Sequence, residues 1–217
     1  MLQITDVRKS YATPVGTLEV LRGIDLELGA GETLALTGES GSGKSTLMHA
    51  LAGLEEIDGG TIAIDQTVIS ALSDRELAAF RRDRIGIVFQ QFNLVPSLTV
   101  VQNVRLQARL SGRLDAGWID HLIEALGLES MRARYPEQLS GGQQQRAAIA
   151  RALALRPDLV LADEPTGNLD AETGDLVMEV FLNLVRETQC AFVMVTHNRR
   201  LAGMLQRTTR LAGGRLE

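Results

Sequence analysis

The sequence predicts an α/β fold in which a mostly parallel sheet carries its chemistry at the carboxyl ends of its strands. Three observations lead there. Four short apolar runs, 33–37, 85–89, 159–162 and 191–196, have the length of buried strands. The first runs into a glycine-rich loop and then a helical pattern over 46–52, and the other three end in polar, chemically capable residues. Between the second and third runs lies a long stretch of helical pattern.

The chain opens with a β-rich segment, read as antiparallel, with turn signals at Thr13-Pro14-Val15-Gly16 and Asp58-Gly59-Gly60. The run 33–37 then meets Gly38-Glu39-Ser40-Gly41-Ser42-Gly43-Lys44-Ser45-Thr46. A glycine, four residues and Gly-Lys-Ser is P-loop spacing, and strand, glycine loop, helix is the context that it requires. Glycines permit the backbone to curl its N–H groups around phosphate oxygens. Lys44 then reaches the β- and γ-phosphates, and the Ser45 hydroxyl occupies a Mg2+ position. A surface turn fits this pattern by accident in about one per cent of chains this long, so the phosphate reading prevails.

The run 159–162 ends in Asp163-Glu164-Pro165-Thr166. In an open parallel sheet ligands gather at the carboxyl ends of strands, which brings Asp163 beside the P-loop as a Mg2+ carboxylate. Glu164, one residue further on, is the candidate for polarising the attacking water. The runs 85–89 and 191–196 lead into Gln90 and His197. Gln90 can accept from the metal's water shell or donate to the attacking water, and His197 can donate to a γ-phosphate oxygen. Each alone reads equally as an ordinary strand end.

Leu139-Ser140-Gly141-Gly142-Gln143 has capping-box spacing between Ser140 and Gln143, followed by a helical pattern over 144–155 closed by Pro157. A glycine-headed helix N-terminus offers free N–H groups and positive potential, a second anion site. Its dipole alone contributes about 0.3–1 kcal/mol, so tight binding needs several donors on one phosphate.

At these residues the chain resembles the ATP-binding-cassette family, over essentially all of its 217 residues. The P-loop, Gln90, the LSGGQ signature, Asp163 with Glu164, a D-loop Asn168-Leu169-Asp170 and a switch histidine, His197, occur in the family's order. The resemblance implies a P-loop NTPase (RecA-like) core with an N-terminal antiparallel β region and an inserted α-helical subdomain. It implies one ATPase domain over 1–217, with 1–91 and 156–217 as nucleotide core and 92–155 as the helical lobe. It also implies ATP and Mg2+ as ligands, and a second copy whose Leu139, Ser140, Gly141, Gly142 and Gln143 cap the nucleotide in a head-to-tail sandwich. Tyr11 falls where family members carry an aromatic that stacks on adenine, although an aromatic on such a strand is core about as often.

The runs 92–100 and 72–77 look most like the lipoprotein-release, macrolide-export and cell-division branch, whose ATPases work with an integral membrane permease of few spans. That resemblance implies a peripheral protein on the cytoplasmic face of the inner membrane, with the permease's coupling helix in a groove beside Gln90. Arg75, Arg81, Arg82 and Arg84 are available to that partner or to lipid, with a solvated helix face as the plainer reading. Three positions depart from the branch: Gln102, Asn198 and the run Leu51-Ala52-Gly53. A cell-division-type ATPase that transmits force without moving cargo would carry the same residues.

Composition agrees with an enzyme core whose transport pathway lies in another polypeptide. With 45% hydrophobic residues the chain can bury a substantial core. No apolar run approaches the roughly 18–20 residues of a membrane span, and the opening residues lack a signal-peptide pattern. A net charge of −5 speaks against nucleic acid as partner. The single cysteine, Cys190, is expected to pack as a small hydrophobe, in keeping with a reducing compartment.

Overall fold

The computed structural model describes residues 1–14 and 16–217. The opening segment folds as an antiparallel hairpin, β1 (Leu2–Thr13) and β2 (Gly16–Leu28), paired from Leu2↔Leu28 to Thr13↔Gly16 with register shifts between Ile4 and Ser10. Val15, within the predicted turn, lies outside the described residues. On the other side β1 pairs with β4 (Gly59–Ile64), and β5 (Thr67–Val68) completes a four-stranded sheet in the order β2-β1-β4-β5. The signal at Asp58-Gly59-Gly60 therefore marks the start of a strand. Gly60 sits at φ +84°, where a Cβ would stand 2.3 Å from the Asp6 carbonyl oxygen, so glycine is needed where β4 crosses the bulge in β1.

The second sheet has the order β10-β9-β3-β8-β7-β6. Its parallel strands are β3 (Thr33–Thr37), β6 (Ile85–Val88), β7 (Leu159–Asp163), β8 (Ala191–Val195) and β9 (Arg207–Ala212), and β10 (Arg215–Leu216) returns antiparallel at one edge. Strands β3, β6, β7 and β8 are buried on both faces, which accounts for the unbroken apolar runs. Side chains alternate between two cores. Leu34, Leu36, Leu159, Leu161, Val193 and Val195 face the antiparallel sheet and helix α1 (Lys44–Leu51). Ala35, Val160, Ala162, Phe192 and Met194 face the helices on the opposite side.

Those helices are α3 (Val100–Leu110), α4 (Ala116–Ala125), α5 (Gly141–Leu153) and α6 (Ala171–Thr188). Helix α2 (Asp74–Arg84) precedes them; Leu77 and Phe80 pack half-buried against the first core, Arg75 is exposed, and Arg81, Arg82 and Arg84 are half-buried and engaged with the Gly53 carbonyl, Asp83 and Asp158 respectively, so only Arg75 fits a freely solvated face. A short α7 (Arg199–Ala202) follows β8. Capping boxes start α2 at Ser73, α3 at Thr99 and α5 at Ser140. Helix α5 stops at Leu153 rather than at the predicted 155, because the Trp118 indole donates to the Leu153 carbonyl at 2.9 Å and Arg156 turns left-handed at φ +47°.

The loop between β6 and α3 is held at both ends. The fully buried Asn103 amide accepts from Val95 N–H and donates to the Val95, Leu98 and Thr99 carbonyls, while Arg151 of α5 donates to the Asn93 and Phe92 carbonyls. Cys190 is buried, and burial pushes its thiol up. Among the described residues no helix is long and apolar enough to cross a membrane.

Candidate nucleotide site

Parallel pairing of β3, β8, β7 and β6 brings four strand ends to one edge of the sheet. The loop 38–43 leaves β3 there and turns into α1. Gly38 has φ +148°, and a Cβ on it would stand 2.4 Å from the Leu211 carbonyl oxygen; a Cβ on Gly43, at φ +103°, would meet Val20 at 2.9 Å. These two positions keep the loop closed on β9 and β2, and only glycine fits. Gly43 caps α1 without a side-chain bond, and no acidic residue lies in the first turn, so the helix head is free to receive an anion. Lys44 Nζ donates to the Gly38 and Glu39 carbonyls at 3.0 and 2.7 Å, bending the chain around its own cation. Ser42 Oγ is buried without a partner, an orphaned polar atom within the glycine loop. The Glu39 carboxylate pairs with Arg210 of β9 at 3.2 Å, which leaves its backbone facing the loop. Ser40 and Gly41 complete the loop beside a cavity of about 330 Å3 lined also by Val20 and Arg210; Ser45 is exposed and Thr46 half-buried on α1.

Asp163 ends β7. Burial, and then the Glu164 charge, push its carboxyl above the ordinary 3.8, opposed by His49 and Lys44. Glu164 has φ +43°, a left-handed backbone that a glutamate adopts at a cost, and its N–H donates to the Val195 carbonyl at 2.9 Å. His197 Nδ1 lies 2.5 Å from Glu164 Oε1. The two line a cavity of about 210 Å3 with Gly167, Asp170, Thr196 and Arg200, the last ion-paired to Asp175.

Gln90 meets Asn168, whose Nδ2 donates to the Gln90 carbonyl at 2.9 Å. Asp170 caps α6 through Thr173 N–H at 2.9 Å, and that bond holds its carboxyl below the usual range. Leu139 is buried, and Ser140 caps α5 with Gln143 returning to the Ser140 N–H at 2.9 Å. A Cβ on Gly142 would stand 2.8 Å from Thr173 Cγ2, which fixes the head of α5 against α6. Residues 139–143 line neither of the two cavities above. Tyr11 pairs with Leu18 on the hairpin, is 37% exposed and carries Lys9 Nζ 5.2 Å from its ring centroid, so it is not a core residue.

The sequence pointed to the strand-end residues but not to their partners. The Asn168–Gln90 contact spans 78 residues, and the Arg200–Asp175 pair joins two helices; neither leaves a local pattern.

Residues 21–167 match the family described as ABC transporter. The chain is 46% identical over 220 residues to the lipoprotein-releasing system ATP-binding protein LolD of Novosphingobium aromaticivorans, covering 100% of this chain and 98% of that one. It is 44% identical over 219 residues to LolD of Zymomonas mobilis, covering 100% and 94%. Among solved structures, the dimeric post-hydrolysis state of the ATP-binding cassette MJ0796 bound to ADP and Pi superposes with a TM-score of 0.89 at 38% identity, over 100% of this chain and 97% of that one. With the P-loop, the Asp163-Glu164 strand end and the glycine-headed helix assembled on that scaffold, the chain belongs to the ABC transporter family as an ATP-binding, ATP-hydrolysing cassette.

Proposed function

We propose that the chain is the ATP hydrolase subunit of a lipoprotein-releasing transporter, working as a head-to-tail dimer beneath a separate membrane permease. The observation that carries the lipoprotein assignment is the full-length likeness to LolD proteins at 44–46% identity. The chemistry rests on Lys44, Asp163, Glu164 and His197 meeting at one sheet edge.

Backbone N–H groups of 38–46 and the Lys44 ammonium hold the phosphates, and the free head of α1 adds positive potential. The Ser45 hydroxyl, the Gln90 amide oxygen and the Asp163 carboxylate form an all-oxygen set suited to Mg2+, which neutralises phosphate charge when bound. Glu164 orients and polarises water, and His197 donates to the γ-phosphate while steadying Glu164. Ser140, Gly141 and Gly142 of the second copy close the site with N–H groups. Most of the barrier lowering comes from this preorganised charge, with the base supplying roughly 10²–10⁴-fold. Tyr11, exposed on its hairpin, stacks on adenine.

The permease docks in a groove of about 390 Å3 between α2 and the α3–α5 pair, lined by Leu54, Arg81, Ile87, Phe89 and Arg151. Its apolar floor and cationic rim suit an amphipathic helix bearing a carboxylate. The subunit then sits on the cytoplasmic face of the inner membrane. Copurification of a few-span membrane protein from detergent extracts, followed by ATP-dependent release of lipoprotein from reconstituted vesicles, tests this reading. ATP-dependent shape change in that complex without lipoprotein release would overturn it in favour of force transmission alone.

A further inference from the structure

Helix α3 ends in a turn held by its own backbone. Gly112 stands left-handed at φ +68°, Gly112 N–H donates to the Arg109 carbonyl at 3.2 Å and Arg113 N–H to the Ala108 carbonyl at 3.0 Å, the double closure of a Schellman end. Asp115 then starts α4 by accepting from Trp118 N–H at 3.0 Å. This fixed turn displays apolar surface. Leu110, at 67%, is the most exposed large hydrophobic side chain among the described residues, and Leu114 follows at 46%. Arg109 and Arg113 are exposed beside them. Among the described residues neither guanidinium is ion-paired or hydrogen-bonded, whereas Arg105 and Arg132 share Asp120. The other carboxylates at hand are taken: Asp115 pairs with Arg156 at 2.9 Å, and Asp83 of α2 with Arg82 at 2.6 Å. The Arg82 guanidinium and, more weakly, the charge of Arg113 hold Asp83 below the usual carboxylate range, so the turn lies near the end of α2. One helical turn earlier, Leu106 and Gln107 line the groove between α2 and α3.

We propose that the α3–α4 turn is a membrane-surface contact, in which Leu110 and Leu114 enter the interface of an anionic phospholipid leaflet while Arg109 and Arg113 meet its phosphates. Two unpaired cations together on a chain of net charge −5 select an anionic surface and orient the molecule on it, because the rest of the chain is repelled. The leucines call for an apolar layer behind that surface. The tip is open even around Gly112, where a Cβ would meet nothing within 4 Å, so a fluid layer fits it without a matching cleft. A patch of this size gives weak, reversible binding, and a second attachment in the groove alongside would make it stable. The inference goes beyond the permease reading, and its test needs no permease.

The test sediments the full chain with vesicles of phosphatidylcholine alone or with about one third phosphatidylglycerol. Binding is expected to the anionic vesicles only, and to weaken as salt is raised. Arg109→Gln with Arg113→Gln should lower the partition coefficient roughly thirtyfold. Leu110→Ser with Leu114→Ser should lower it about tenfold or more. Both double variants should keep the parent's melting temperature and its ATP turnover without vesicles, since the four side chains are exposed and outside the nucleotide site. An environment-sensitive dye on Leu110→Cys should shift to the blue on anionic vesicles, while the same dye on Leu176→Cys, 60% exposed on α6, should not; Cys190 is buried and stays unlabelled. Equal binding to both vesicles, binding to neither, a double variant that binds like its parent, or equal dye shifts at the two positions would each overturn the proposal. Double variants that keep vesicle binding but lose a copurifying membrane protein would assign the turn to a protein partner instead.

Discussion

His197 Nδ1 and Glu164 Oε1 lie 2.5 Å apart, joining the end of β8 to the residue that follows β7. The carboxylate is mostly enclosed and the ring mostly exposed, so the histidine closes the cavity over the carboxylate from the solvent side. Replacing Glu164 by Gln should keep ATP binding and lower turnover by roughly 10²–10⁴-fold. His197→Ala should also slow hydrolysis, and combining the two should add little, because they act as a unit. Steady-state phosphate release and ATP filter binding check this; wild-type hydrolysis by Glu164→Gln refutes the assignment of the base.

Lys44 holds its loop through two carbonyls and, on the proposed reading, also holds phosphate. Lys44→Ala should therefore weaken nucleotide binding itself, by about 1.5–3 kcal/mol for the lost charged hydrogen bonds. Isothermal titration with ATP reads this directly, and an unchanged dissociation constant would count against the cradle.

Gly86 lies in β6 against α5, where a Cβ would stand 2.5 Å from the Ala152 carbonyl oxygen. Gly86→Ala should cost about 1–3 kcal/mol through displaced backbone. For a chain of this size that is a fall of roughly 2–4 °C in melting temperature per kcal/mol, read by calorimetry.

Asp163 gives a pH-dependent outcome. Its carboxyl is raised in the folded chain by burial first and the Glu164 charge second, so the folded state holds that proton more tightly than the unfolded state does. The stability contributed by this group is greatest below 3.8 and falls as pH rises through the folded-state pKa. Asp163→Asn should melt higher than the parent at neutral pH, with the gap closing toward pH about 4, while Mg2+-dependent turnover is lost. An equal gap at both pH values would argue that burial of this carboxylate is not the cause.

The parts of the molecule legible in sequence are those with local causes. Four of the five parallel strands, β3, β6, β7 and β8, are doubly buried and read as apolar runs, and Ser140 with Gln143 announced a helix head three residues apart. Helix α6 had no such notice, because its cap, Asp170, lies in the turn that already carried a chemical reading. Strand β9 is half exposed and carries two arginines; its pairing with β3, Leu34 to Arg207, is a tertiary fact. The exposure of Tyr11 likewise depends on how far the hairpin extends beyond the sheet contacts with β4, which run only to Arg8↔Gly59. Gln90 was visible as a strand end, but its hold on Asn168 was not.

Because successive residues of β7 and β8 point into different cores, the wall between the two compartments is a single strand thick. Packed interiors transmit displacement rather than absorb it. A vacancy at Val160 or Phe192, among the helices, therefore shifts the same strand ends as one at Leu161 or Val193 on the far side. Genetic suppressors of a damaged ATPase should accordingly appear as pairs straddling the sheet, each member restoring from one flank what was lost from the other.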